Sequence, residues 1–216
     1  MLEKPLFILI TGTNDVGKST LGKEIEEKYK IPFVNPDLFY KNKFGGYYDF
    51  SREQMTEATN ELRQMRDTFF EDKKSFAIER ILDHDSVISK LVTQAHKSGF
   101  ETTLLYIGVD QQQEISKTRI ENRLSEGAHN VDPDVVDKNL KDCIRCFKEV
   151  AHKFDNVAIL DNSKMDKKFN PKRVYDIRNG VVSVDLKDKP LWAKELVNAL
   201  EKKINNAKDQ GMSLSW

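Results

Sequence analysis

The chain has 216 residues, 38% of them hydrophobic and 32% charged, and its 35 Lys and Arg balance 35 Asp and Glu to a formal net charge of zero. That length suits one domain over residues 1–216, or one domain with an appendage, and it supplies a core that needs no covalent staples. Zero net charge weighs against a broad nucleic-acid binder, no apolar run approaches the ~18 residues of a membrane span, and two cysteines without a secretory leader imply a reducing, cytoplasmic setting.

The opening residues MLEKPLFILITG resemble a leader only superficially, because no small-residue cleavage site follows the short apolar run. PLFILIT (5–11) reads instead as a strand buried on both faces, the signature of a parallel sheet. Residues 18–29 carry Leu21, Ile25 and Tyr29 four apart and predict a helix. IPFVN (31–35) is a short strand, residues 52–70 a helix with Met55, Leu62, Met65 and Phe69 loosely on one side, and SFAIE (75–79) a third strand. A helix over 84–97 ends at Gly99, and TTLLYIGV (102–109) is the plainest strand. Helices are expected over 111–126 and 133–153, split by GAHNVDP, followed by a strand at 154–161. An Asn-Gly turn between β-rich arms makes 173–186 a hairpin, and Pro190 starts a last helix over 190–206, with a loose tail after Gly211. Strands alternating with helices predict an α/β fold with a mainly parallel sheet flanked by helices; the C-terminal β-hairpin plus helix (about 170–206) read as an add-on.

The first strand runs into Gly12, Thr13, Asn14, Asp15, Val16, Gly17, Lys18 and Ser19, a complete G-x-x-x-x-G-K-[ST] in strand–loop–helix context. The glycines let successive backbone N–H groups converge on phosphate oxygens, and the helix adds its unpaired donors and positive dipole end. Lys18 is expected at the β- and γ-phosphates of ATP, Ser19 on Mg²⁺, and the Thr20 hydroxyl nearby. A cradle of this kind serves kinases, switches and plain nucleotide binders alike.

Phosphoryl transfer also needs a group that orients or deprotonates the attacking oxygen, and cations for the developing charge. Asp37, just past a strand expected beside the first one, suits the first role; it equally suits a helix N-cap. Glu79, at the tip of the third strand, should face the same crevice, either holding substrate hydroxyls or lying solvated and paired with Arg80. Arg119 and Arg123 share a helix face and suit phosphate oxygens, or pair with nearby glutamates. The two helices around EGAHNVDP, in a region of about 111–153, suggest a lid that excludes water.

These pieces, GTNDVGKST, FVNPD, SFAIER, the stretch from Gly99 to Val136 containing RIENR and GAHNV, and ILDNS, stand in the order NPD, SF-x-x-E, R-x-x-x-R, G-x-H-x-V and DNS. In that order and spacing the chain resembles the zeta-toxin family of P-loop kinases in its compact chromosomal form, over roughly residues 5–165. The P-loop is shared by many proteins; the combination of the other motifs is specific to the family. The resemblance implies that Asp37 is the catalytic carboxylate, that Glu79 binds substrate, and that Lys18 with Arg119 and Arg123 stabilises the γ-phosphate. It also implies an acceptor hydroxyl on UDP-N-acetylglucosamine and a small helical antitoxin partner. Two departures stand out. Asp137-Lys138-Asn139-Leu140 replaces the family's Arg-Arg-Tyr run, so a second arginine sensor is absent or replaced by Lys138 or Lys141, which cannot fork. Glu79-Arg80 replaces the usual Glu-Thr, which brings Arg80 into the substrate pocket.

Other features read more plainly. Cys143 and Cys146 form C-x-x-C inside a helix, with no second pair for zinc, and point to packing. His129 in the lid loop either touches phosphate or steadies a turn, while His84, His96 and His152 read as surface residues. Phe39, Tyr40, Phe44, Tyr47, Tyr48 and Phe50 form either a substrate lip or the packing of a long loop; residues 165–173 read as a solvated loop. The leading expectation is an ATP·Mg²⁺ kinase of a small molecule, with a UDP-amino-sugar as acceptor. Its rivals are a nucleotide-binding interaction protein without transferase activity, and a kinase of an antibiotic or a nucleic-acid end.

Overall fold

The first apolar run becomes a strand that feeds two cores at once. Successive side chains of a strand point to opposite faces; in β1 (Leu6–Thr11) Phe7 and Leu9 enter one hydrophobic cluster, and Ile8 and Ile10 enter another. The computed structural model describes residues 4–46, 50–110, 133–164 and 169–209. Beyond β1 the chain runs through α1 (Lys18–Tyr29), β2 (Phe33–Val34), α2 (Pro36–Phe44), α3 (Arg52–Glu71), β3 (Phe76–Glu79), α4 (Asp85–Lys97) and β4 (Glu101–Gly108). It continues with α5 (Pro133–Val150), a 3-10 turn (Ala151–Lys153), β5 (Asn156–Asp161), β6 (Lys172–Arg178), β7 (Val181–Asp185) and α6 (Leu191–Asp209).

Among the described residues the strands form one seven-stranded sheet in the order β2-β3-β1-β4-β5-β6-β7. The pairs from β2 through β5 are parallel, and β5-β6 and β6-β7 are antiparallel. Side chains of α3, α4, α5 and α6 fill the larger cluster, and Ile25 of α1 packs in the smaller. The fold is therefore the expected α/β architecture, a mainly parallel sheet with helices on both faces. After β1 the chain goes first to the β2-β3 side and later returns to the β4-β5 side. The crevice outside the carboxyl end of β1, where such a reversal occurs, is where ligands of open α/β sheets sit.

Several expectations change on contact with the structure. The hairpin forms around Asn179 (φ 46°) and Gly180 (φ 77°), as the Asn-Gly signal predicts. It is not an add-on, however: β6 extends the main sheet, and Leu196, Val197 and Leu200 of α6 share the core with Tyr175 and Ile177. On α3 the buried side chains are Ala58 and Phe70, whereas Met55 and Met65 are exposed. The reason lies in an aromatic cluster, in which Phe70 packs against Phe76 and Phe100 with ring centroids 5.1 Å apart in both cases. The stretch that read as a long loop contains α2, so Phe39, Tyr40 and Phe44 are helical residues, the last two against Phe50. Among the described histidines, only His84 is exposed. His96 bonds Asp155 and the Thr102 hydroxyl at 3.1 Å each, and burial lowers the pKa of His152.

Cys143 and Cys146 are free and buried in α5, as helix packing would have them rather than exposed. Among the described residues no helix is long and apolar enough to cross a membrane. The expected helix 111–126, with Arg119 and Arg123, and the loop with His129 lie outside the described residues, as do Tyr47, Tyr48 and the tail after Gly211.

Candidate active site

Gly12 leaves β1 at φ 138°, and a Cβ there would stand 2.2 Å from the Ile107 carbonyl oxygen of β4. Only a residue without a side chain lets the loop pass so close to a neighbouring strand. Gly17, at φ 103°, is the N-cap of α1 and supplies no side-chain bond to the helix, so the first-turn amides take no partner from the cap residue. Val16 is buried beneath the loop, and its carbonyl accepts a 2.8 Å bond from the Asn162 amide of the DNS segment. Phe169 also closes on Gly17, where a Cβ would lie 2.5 Å from its ring. The result is a glycine-bounded loop running into a helix N-terminus, an arrangement that suits a phosphate cradle. Lys18 is only 7% exposed and curls back to donate to the Thr13 carbonyl at 2.5 Å; Thr20 is exposed on the outer side of α1.

The acidic side of the crevice comes from β3. Register places Glu79 beside Ile10, level with the end of β1. Its carboxylate does not lie solvated, nor does it pair with Arg80. Oε2 accepts from the Ser19 hydroxyl at 2.8 Å and from the Asn35 amide at 2.7 Å, while Oε1 lies 3.8 Å from Lys18 Nζ. Arg80 follows: its backbone N–H donates to the Ile10 carbonyl at 3.0 Å and its guanidinium reaches Asp83 at 3.2 Å.

For Asp37 the structure corrects two expectations. The strand before it is not adjacent to β1, because β3 lies between them. Nor is Asp37 the cap of α2; Asn35 is, its side-chain oxygen accepting the Leu38 N–H at 3.0 Å. Asp37 sits in the first turn of α2, exposed. Asn35 itself is buried, and its amide also donates to Ser19 Oγ at 3.1 Å, so that first turn lies at the mouth of the phosphate loop. Asn35, Asn162 and Phe169 join the site alongside the residues expected there. Asn35 and Asn162 belong to the NPD and DNS motifs, and position within those motifs was the available signal; Phe169 carried none.

A model of the zeta toxin family matches residues 1–180. The chain belongs to the zeta toxin family. No curated protein matches it. Among solved structures, it is similar to one from the PezAT chromosomal toxin-antitoxin system of Streptococcus pneumoniae, at 19% identity and TM-score 0.60, covering 96% of this chain and 88% of that one. The AvrRxo1-ORF1:ORF2 complex with ATP follows at 16% identity and TM-score 0.58, covering 98% and 81%. A chain of the Pnkp1/Rnl/Hen1 RNA repair complex is 14% identical with TM-score 0.59, covering 88% and 54%. Identities this low carry the fold alone, a mainly parallel α/β sheet flanked by helices. Zeta toxin membership and the phosphate loop together support an ATP-dependent phosphotransferase.

Within the zeta toxin frame, the residues that replace the Arg-Arg-Tyr run occupy α5. Lys138 and Lys141 are exposed there, and the side chain that reaches the phosphate loop is Asn139, 2.9 Å from Asn14 Oδ1. Among the described residues no three His, Cys, Asp or Glu side chains gather into a metal-binding group. The Ser19 hydroxyl and the Glu79 carboxylate are hard oxygen donors 2.8 Å apart, a pair that fits Mg²⁺ held mainly by nucleotide phosphates.

Proposed function

We propose that this zeta toxin family member transfers the γ-phosphate of ATP to a hydroxyl of a small acceptor, a UDP-amino-sugar such as UDP-N-acetylglucosamine. The observation that carries the reading is the bridge through Asn35. One side chain bonds Ser19 of the phosphate loop and Glu79 of β3, and caps the helix whose first turn holds Asp37. Donor and acceptor chemistry then share one crevice.

In this reading the amides of Gly12–Ser19 and the N-terminus of α1 hold the β- and γ-phosphates, and Lys18 leaves the Thr13 carbonyl to join them. Ser19, with Glu79 beside it, would hold Mg²⁺, which supplies charge neutralisation at the phosphate oxygens. Asp37 takes the proton of the acceptor hydroxyl. The hydroxyl oxygen forms the new bond to the γ-phosphorus as the bond to the β–γ bridging oxygen breaks, releasing ADP. Lys18, Arg119 and Arg123 carry the developing charge, and Glu79 and Arg80 hold the acceptor. By likeness to the PezAT structure, the same proposal includes a protein antitoxin partner, in a cytoplasmic setting that keeps Cys143 and Cys146 reduced.

A nucleotide binder without transferase activity is the second reading. Its support is that Lys138 and Lys141 are exposed while uncharged Asn139 meets the P-loop. Incubation with Mg·ATP and a panel of UDP-sugars, followed by mass spectrometry, separates the two. A phosphorylated UDP-N-acetylglucosamine is expected; ATP binding with no phosphorylated sugar overturns the kinase reading in favour of the second.

A further inference from the structure

We infer that Asn35 is a positioning residue that couples the cation-binding end of the phosphate loop to the acceptor helix α2. The inference rests on the proposed nucleotide site and goes beyond it by adding a link between its two halves. Asn35 is buried, and every polar atom of its side chain is used. Nδ2 donates to Ser19 Oγ at 3.1 Å and to Glu79 Oε2 at 2.7 Å, while Oδ1 accepts from Leu38 N at 3.0 Å. An amide is the side chain that can do this, since it carries two donor hydrogens and an acceptor oxygen on one planar group. A carboxylate would lack the donors, and a hydroxyl is too short to reach both Glu79 and Ser19 while capping the helix.

The arrangement has a chemical consequence. Glu79 stands between Ser19, at 2.8 Å, and Lys18, at 3.8 Å. The Asn35 amide holds Oε2 on the Ser19 side, which keeps the two oxygens that would face a divalent cation together. It also keeps the carboxylate from closing on the ammonium needed by the phosphates. Because the same amide group ends the helix carrying Asp37, any shift of the Ser19–Glu79 pair on cation loading is felt at the first turn of α2. The Asn35 backbone carbonyl completes the joint, accepting the Phe39 N–H at 2.9 Å.

The test compares the parent chain with Asn35→Ala and Asn35→Ser. Serine is as good a helix cap as asparagine, so Asn35→Ser keeps the cap and removes the bridge. A non-hydrolysable ATP analogue is titrated with Mg²⁺ and with EDTA, and amide hydrogen exchange is followed over α2. The expected result is that the gain in affinity conferred by Mg²⁺ falls by about tenfold in both variants, the scale of a lost bond to a charged group. In the parent, Mg²⁺ and the analogue slow exchange at Leu38–Lys41; in Asn35→Ser they leave it unchanged. If Asn35→Ser retains the parental Mg²⁺ gain and the parental exchange response, Asn35 is a helix cap only and the inference falls. A parent that binds the analogue but phosphorylates no sugar defeats the kinase reading alone, and the Asn35 comparison still decides the coupling. A parent that does not bind the analogue overturns both.

Discussion

Asn139 of α5 donates to Asn14 of the phosphate loop at 2.9 Å, across 125 positions of sequence. The contact joins the helix that carries this chain's departure from the family pattern to the loop that would hold the triphosphate. Replacing Asn139 with alanine removes a neutral hydrogen bond of about 0.5–1.5 kcal/mol. The expected outcome is a ~3–10-fold loss of affinity for a non-hydrolysable ATP analogue, read by calorimetry, with the melting temperature little changed. Unchanged affinity would show that the loop keeps its shape without α5.

Asp37 is exposed in the first turn of α2 and takes no part in the described core. Asp37→Asn should leave folding and ATP-analogue affinity within about twofold of the parent, because it changes one exposed charge. Phosphoryl transfer to the sugar should fall by ~10²–10⁴, the usual contribution of a general base. Parental turnover in this variant sinks the proposed role.

Gly12 is a backbone position that cannot accept a side chain without strain. A Cβ would lie 2.2 Å from the Ile107 carbonyl oxygen, which is backbone in a central strand and cannot give way, and φ is 138°. Gly12→Ala should destabilise by ~3 kcal/mol or more from strain and steric overlap together. Thermal and urea unfolding measure it; a loss below about 1 kcal/mol would mean that the loop can move off β4.

The two thiols of α5 are buried, and burial raises both pKa values, that of Cys146 to about 12. The thiolate is the reactive form. Iodoacetamide at pH 8 should therefore leave both cysteines unmodified in the native protein and alkylate both in denaturant, counted by intact mass. Rapid native labelling at Cys146 would show that the Cys146 end of α5 opens readily.

The phosphate loop, β1 and α1 were legible in the sequence because their signals are local. A continuous apolar run, two glycines at fixed spacing and apolar residues four apart depend on neighbouring positions only. Glu79 was also within reach, since a carboxylate at the end of a short buried strand points to the sheet's carboxyl edge. The strand β2 was harder. Its pairing with β3 rather than β1 is a matter of sheet order, which two residues of strand cannot encode. The same limit hid α2, whose aromatic residues lack helical periodicity and are held instead by Phe50 and by Lys43 pairing with Glu57 and Glu61 of α3.

The sequence by itself determined that a nucleotide phosphate loop opens this α/β fold and which family's motifs accompany it, because glycine conformational freedom and apolar spacing act over a few residues. Only the tertiary structure decided that Asn35, rather than Asp37, caps α2. It alone decided that Glu79 meets Ser19 rather than Arg80, and that Asn139 rather than a lysine touches the loop. The cap is a local bond over 3 positions that two candidate cap residues leave open, whereas the other two outcomes depend on hydrogen-bond partners 60 and 125 positions apart, brought together by the order of strands and the packing of α5 against the sheet.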